Sequence, residues 1–229
     1  MKKIGFIGAY DKIDMMLNVA KILTLCDKKT LIVDSTINQK ARYIVPTMSP
    51  EPYYITSFED IDVAVGFKSF AQVKQYLNTE ELPYDLILID IDNPYNIEGF
   101  ELNETQANFF VTAFDPFSLK RGLQIISLIK NPLKMTKVLF SENMSKEEND
   151  YLNYLSLGYK VMWNEERIYF PLENGDWSVI AENERTAKIK FKRLSQQYKD
   201  ALLIVTNEIS EDIGEGNIRK AIRFVERGM

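Results

Sequence analysis

The sequence predicts an α/β chain built on a doubly wound, mainly parallel sheet with helices on both faces, and three observations carry that prediction. The first is the opening stretch Met1 to Thr36, which reads as strand, short loop, apolar helix and second strand. A second is the run Leu86 to Ile89 (L-I-L-I), whose unbroken apolar character is that of a central parallel strand covered on both faces. Third, strand and helix patterns alternate along most of the chain, and parallel neighbours joined by right-handed crossovers are the arrangement such alternation allows.

Taken in order, Lys3 to Ile7 is a buried-strand pattern, Gly8 to Lys12 a turn, and Ile13 to Leu25 a helix with apolar residues at helical spacing. Lys29 to Val33 is the second strand and delivers Asp34 to its carboxyl end. Ser35 to Tyr54 is polar and carries Pro46, Pro50 and Pro52, so it reads as loop with one helical turn near Gln39 to Tyr43. A short strand is expected at Asp62 to Val65 and a helix at Phe67 to Leu77, stopped by Asn78. Leu86 to Ile89 ends in Asp90, and Asp92, Asn93 and Pro94 turn the chain away.

Asn108 to Ala113 is a further strand. Asp115 caps the next helix, with Pro116 in the first turn where its missing N–H costs nothing, and the pattern runs on to Lys130. A strand at Lys137 to Phe140 follows. Ser145 and Glu148 match a capping box for a helix ending near Leu157. Val161 to Val179 reads as a short strand mixed with loop, Glu184 to Ile209 as one long helix, and Gly214 and Gly216 as its break. Asn217 to Met229 closes what is expected to be a single domain, residues 1–229.

Composition narrows the chemistry. The 229 residues include no histidine, which removes imidazole acid–base catalysis, Ser-His and Cys-His nucleophile pairs and His-ligated zinc. The single cysteine, Cys26, excludes an internal disulfide and suits a reducing compartment. A net charge of −5 gives no indication of DNA binding. With no apolar run long enough for a membrane span and no signal-peptide pattern, a cytoplasmic protein is expected.

Strand ends in an open parallel sheet are where ligands collect, which makes Asp34 and Asp90 binding candidates, and Asp90 with Asp92 could present two carboxylates to a cation. Lys12, in the first loop, is the candidate for a phosphate. The terminal helix sorts Ile218, Ala221, Ile222 and Val225 onto one face and Arg219, Lys220, Arg223 and Arg227 onto the other. A basic amphipathic helix of this kind has three destinations: its own domain, a second subunit or partner, or an anionic membrane surface. Ile218, Arg219, Ile222, Arg223 and Val225 are the contact candidates for the last two.

The segments K-K-T-L-I-V-D (28–34), Y-D-L-I-L-I-D (84–90) and F-V-T-A-F-D-P-F-S-L-K-R-G (110–122) resemble the MinD/ParA group of deviant Walker ATPases in order and spacing. The resemblance extends more thinly to about Ile209. It implies a P-loop NTPase fold, ATP and magnesium as ligands, a nucleotide-driven homodimer and protein partners. By it, Gly8, Lys12, Asp34 and Asp90 are the nucleotide-binding candidates: Asp90 takes the Walker B position, Asp34 the carboxylate ahead of the first switch, and Lys12 the phosphate lysine if Asn18-Val19-Ala20 aligns with the family's N-L-A. Asp34 and Asp90 are the metal candidates.

The loop departs from the family's G-K-G-G-V-G-K-T. It is Gly8-Ala9-Tyr10-Asp11-Lys12-Ile13, about two residues shorter, with one glycine, an acid beside the phosphate position and Ile13 where a hydroxyl would meet magnesium. A phosphate needs inward-pointing backbone N–H groups, which a glycine-poor loop presents less readily. A carboxylate about 4 Å from it costs on the order of 1 kcal/mol in water and more at lower dielectric. Thr36 replaces the water-orienting aspartate of the first switch. The expectation is a degenerate, non-hydrolysing member acting by protein association in positioning or assembly (plasmid partition, pilus or secretion, division or motility). The alternatives are an active Mg-ATP-dependent ATPase with an altered loop and a Rossmann-type small-molecule domain.

Overall fold

The computed structural model describes residues 1–47, 51–141, 146–171 and 173–228. In chain order the elements are β1 (Lys2–Ile7), α1 (Ile13–Thr24), β2 (Thr30–Asp34), α2 (Ala41–Ile44), β3 (Tyr54–Phe58), β4 (Ile61–Val65), α3 (Phe70–Leu77) and β5 (Leu86–Ile91). Three short 3-10 turns lead to β6 (Ala107–Ala113), α4 (Pro116–Ser127), β7 (Leu133–Ser141), α5 (Lys146–Leu155), β8 (Val161–Pro171), α6 (Asn174–Thr186), α7 (Gln196–Ile209) and α8 (Glu215–Arg227). The eight strands form one sheet in the order β3-β4-β2-β5-β1-β6-β7-β8. Every pairing is parallel except the β3–β4 hairpin at one edge.

Period-two alternation sorts each central strand between two cores, because successive side chains point to opposite faces. Ile4, Phe6, Ile32, Leu86 and Leu88 pack with α1, α7 and α8. Ile7, Leu31, Val33, Ile87, Ile89 and Ile91 pack with α3, α4 and α5. Asp34 and Asp90 continue the first series, so both carboxylates emerge on the α1 side, and they are register partners on neighbouring strands.

Several boundaries differ from expectation. The sequence hides β3, a five-residue edge strand; Glu59 and Asp60, both with positive φ (52° and 67°), close its two-residue turn onto β4. The stretch Val161–Val179 is a long edge strand followed by the start of α6. Glu184–Ile209 is two helices rather than one. Ala187, in the left-handed region at φ 47°, ends α6, and Phe191 and Leu194 are buried in the connection. Asp176 then accepts hydrogen bonds from Ser195 N and Oγ (2.6 and 2.7 Å), and Ser195 caps α7. An apolar periodicity that belongs to a packed connector had imitated a helix. Helix α4 stops at Ser127 rather than Lys130, although Asp115 caps it as predicted, through Phe117 N and Ser118 N. Asn78 closes α3 in the left-handed conformation. Gly214 precedes α8, but Gly216 lies inside it. The Ser145 half of the predicted capping box lies outside the described residues.

Candidate functional site

The carboxyl ends of β1, β2 and β5 open onto a cleft of about 210 Å³ lined by the first loop, by Asp34, Asp90 and Asp92, and by Thr36, Asn38, Lys40 and Tyr43. All four nucleotide-binding candidates are at this end of the sheet, and each of them is engaged within the chain.

Gly8 sits at φ +146°, a conformation that favours glycine, and a Cβ there would lie 2.1 Å from Val111 O on β6. Its N–H donates to Ile91 O at 3.1 Å. The glycine thus allows close packing against the sheet. Tyr10 turns its ring inward onto Phe140, 4.5 Å between centroids, which anchors the loop to the α1-side core.

Lys12 is buried. Its ammonium lies 2.5 Å from Asp90 Oδ1 and donates to Gly8 O at 2.9 Å, closing the loop on itself. The two side chains form an enclosed ion pair that takes up the inner oxygen of Asp90. Burial pushes the Asp90 carboxyl up to about 7; Lys12 pulls it back, and Asp34 adds to the rise.

Asp34 is equally occupied. Its Oδ1 accepts from Thr36 N and Oγ1 (3.1 and 2.6 Å), and its Oδ2 from Ala41 N (2.9 Å). This is the bonding of a residue that shapes the following loop and starts α2. Asp92, raised above the usual carboxylate range by burial, accepts from Ile37 N at 2.7 Å. Among the described residues no group of three or more acidic or thiol side chains is arranged to hold a metal ion. Asp34 and Asp90 are therefore a two-carboxylate candidate with no third such ligand beside them.

The start of α1, where a phosphate loop would present N–H groups to an anion, has an anion of its own: Asp11 Oδ1 accepts from Ile13 N at 3.2 Å. Lys40 reaches across from the loop before α2 and pairs with Asp11 and with Glu184 of α6, both at 2.5 Å. Burial draws the Lys40 ammonium down, but its bonds to Asp11 and Glu184 outweigh that and hold it above the ordinary lysine value. Burial and the neighbouring Glu184 raise Asp14 well above the ordinary carboxylate value. Lys40, Asp14 and Glu184 were not among the sequence candidates. No local spacing relates residues 14, 40 and 184; only the break that frees α6 from α7 brings the last of them to this end.

The terminal helix is docked. Ile218, Ile222 and Val225 are buried against α7 and α1, which removes them as surface contacts in this conformation. Arg219 is exposed and pairs with Glu215 at 2.7 Å, and Arg223 is exposed beside it. No helix among the described residues is long and apolar enough to cross a membrane.

An open, mainly parallel sheet with helices on both faces and a cleft at the ends of β1, β2 and β5 defines the class as a doubly wound α/β fold. Solved structures refine that. A ParA family ATPase from Chlorobium tepidum superposes with a TM-score of 0.59 at 14% identity, covering 88% of this chain and 96% of that one. A MinC:MinD cell division complex from Aquifex aeolicus matches at 0.55 and 14%, covering 93% and 96%. A putative plasmid partition protein from Borrelia burgdorferi, bound to AMPPNP, matches at 0.54 and 12%, covering 97% and 98%. The chain has the ParA/MinD-type fold, as the sequence resemblance implied. No protein-family model matches the sequence, and no curated protein matches it significantly.

Proposed function

We propose that this chain is a ParA/MinD-like protein that does not hydrolyse ATP and acts by protein–protein association, in positioning or assembling a larger cellular structure. The observation that carries the reading is the first loop's self-sufficiency: its lysine is buried on Asp90 and Gly8 O, and its helix N-terminus holds the Asp11 carboxylate. A triphosphate would have to break both contacts and settle beside Asp11, Asp34, Asp90 and Asp92, with Lys12 and Lys40 as the cleft's two ammonium groups. Its volume is also below the roughly 300–1,000 Å³ of ordinary small-molecule sites.

A working ATPase is the alternative, and the fold it shares with the AMPPNP-bound Borrelia protein favours it. Titration of the full chain with a fluorescent ATP analogue and magnesium separates the two. No saturable binding up to millimolar nucleotide is expected; a micromolar Kd that requires magnesium would overturn the proposal.

A further inference from the structure

We propose that the outer face of α5 pairs with the same face of a second copy of this chain, the two helices antiparallel, in a weak dimer that needs no nucleotide. No residue of α5 lines the cleft at the ends of β1, β2 and β5, so the contact is separate from that site.

Helical spacing divides α5 into two faces. Asn149, Leu152 and Ser156 are buried toward the sheet, where Asn149 holds Lys137 and Ser156 Oγ accepts from Trp163 Nε1 of β8 at 2.9 Å. Glu147, Tyr151 and Tyr154 follow one another outside at four- and three-residue steps. Gly158 comes at the next step, where the chain turns at φ +85° and a Cβ would meet nothing within 4 Å. Tyr151 is 53% exposed, Tyr154 69% and Leu157, beside them, 71%. Two tyrosines and a leucine together on one short helix form an apolar patch with polar groups at its rim, the composition of a contact surface.

The neighbouring edge and the charge decide what covers the patch. Strand β8 ends the sheet, but Asn164, Glu165 and Glu166 bulge opposite the single residue Thr136, and Glu165, Glu166 and Arg167 are exposed. A bulge with charged side chains guards an edge against strand addition, which leaves the helix as the contact element. Charge along α5 is polarised: Glu147 and Asp150 stand in its first turns, and Lys160, whose ammonium donates to the neutral Lys130 carbonyl at 2.6 Å, lies just past its end. Antiparallel pairing about a two-fold axis sets Tyr151 of one copy on Tyr154 of the other and Glu147 on the open turn from Gly158 to Lys160, each twice, with the helix dipoles opposed. A uniformly acidic or basic partner would match only one end. A tyrosine buries about 150–250 Å² at most, so four of them and two leucines make a seam near the low end of specific interfaces, at about 1,200 Å², and a dissociation constant on the order of 10–100 µM follows.

The test is sedimentation velocity of the full chain across the micromolar to submillimolar range, with and without Mg-ATP. Expected is reversible monomer–dimer association without nucleotide, weakened about tenfold or more by Tyr154→Glu. Glu147→Lys and Lys160→Glu should each weaken it about threefold, and the two together, which swap the charges, should restore it. All four positions are exposed or half-exposed at the surface, and far-UV circular dichroism checks that each variant is folded. An unaltered constant in Tyr154→Glu, or a double swap no better than its single changes, would overturn the proposal. A monomer throughout, with and without Mg-ATP, would overturn this inference alone. Association that appears only with Mg-ATP would overturn it together with the non-nucleotide reading of the cleft.

Discussion

The buried lysines Lys12 and Lys137 are solved differently. Lys12, in the loop between β1 and α1, faces a carboxylate: Asp90 lies 2.5 Å away and both side chains are almost wholly enclosed. Lys137, in the middle of β7, faces amides. Asn149 and Asn153 of α5 accept from it at 2.8 and 2.6 Å, the Trp163 ring lies 5.0 Å below, and Arg167 is its register partner on β8. Burial and then Arg167 lower the Lys137 ammonium to about 8, with Asp150 partly offsetting them. One region stores a charge pair; the other tolerates a charge it could shed. The contrast concerns the cleft: the loop lysine is held by an internal counter-ion, which a ligand there would have to share or displace.

The largest effect that tests this contrast is at Lys12. Lys12→Met leaves a buried carboxylate without its ion partner and should cost about 3–5 kcal/mol in urea unfolding at pH 7. The double variant Lys12→Met, Asp90→Leu should recover most of that, because replacing a whole buried pair by apolar groups is often neutral. A loss below about 1 kcal/mol for the single change would mean that the pair is not structural, and the comparison would fall.

At Lys137 the signature is pH dependence. The unfolded chain binds a proton on this lysine up to its ordinary value near 10.4, while the folded chain releases it near 8. Between those values the unfolded state holds more protons, so this residue's contribution makes stability rise with pH, by about 1–3 kcal/mol in total. Tyrosines of the unfolded chain titrate at the upper end of this window while burial holds Tyr10, Tyr84 and Tyr198 above it, so the quantity to measure is the difference between wild type and Lys137→Met from pH 7.5 to 10. A flat difference would place Lys137 with Lys12 as an ordinary held charge.

The acids behind the cleft carry the opposite sign. Asp14 is raised well above its unfolded value by burial and by Glu184, so its contribution favours the folded state at pH 4 and is lost as pH climbs through the folded value. Asp14→Asn imitates the protonated form and should stabilise the chain by about 1 kcal/mol at pH 8, with the gain vanishing near pH 4. Equal effects at both pH values would show that Asp14 titrates normally.

How much of this was legible follows from what kind of interaction each feature needs. The strand–loop–helix frame, the Asp34 and Asp90 strand ends and the Asp115 cap are written in local pattern. Parity along β2 and β5 even sets both acids on the α1 face. The occupants of the cleft are not local. Lys40 meets Asp11 and Glu184 only because α6 ends at Ala187, and Phe191 and Leu194, buried in the connector, produced the false continuous helix. The docking of Ile218, Ile222 and Val225 depended on whether α7 and α1 left a groove of the right width, which no hydrophobic periodicity encodes.

Lys40 gives the smallest effect in stability and the sharpest in meaning. It is 39% exposed, and pairs of that kind contribute up to about 1 kcal/mol, so Lys40→Ala should unfold at nearly the wild-type urea concentration. Its loss removes one of the two ammonium groups in the cleft wall and frees Asp11 and Glu184. A cleft that takes no nucleotide should then stay as silent toward the fluorescent ATP analogue as the wild type. A cleft that receives phosphate would bind the analogue in the wild type and lose affinity in the variant, because a positive charge beside the loop has been lost. The same substitution thus separates the two readings at little cost in stability.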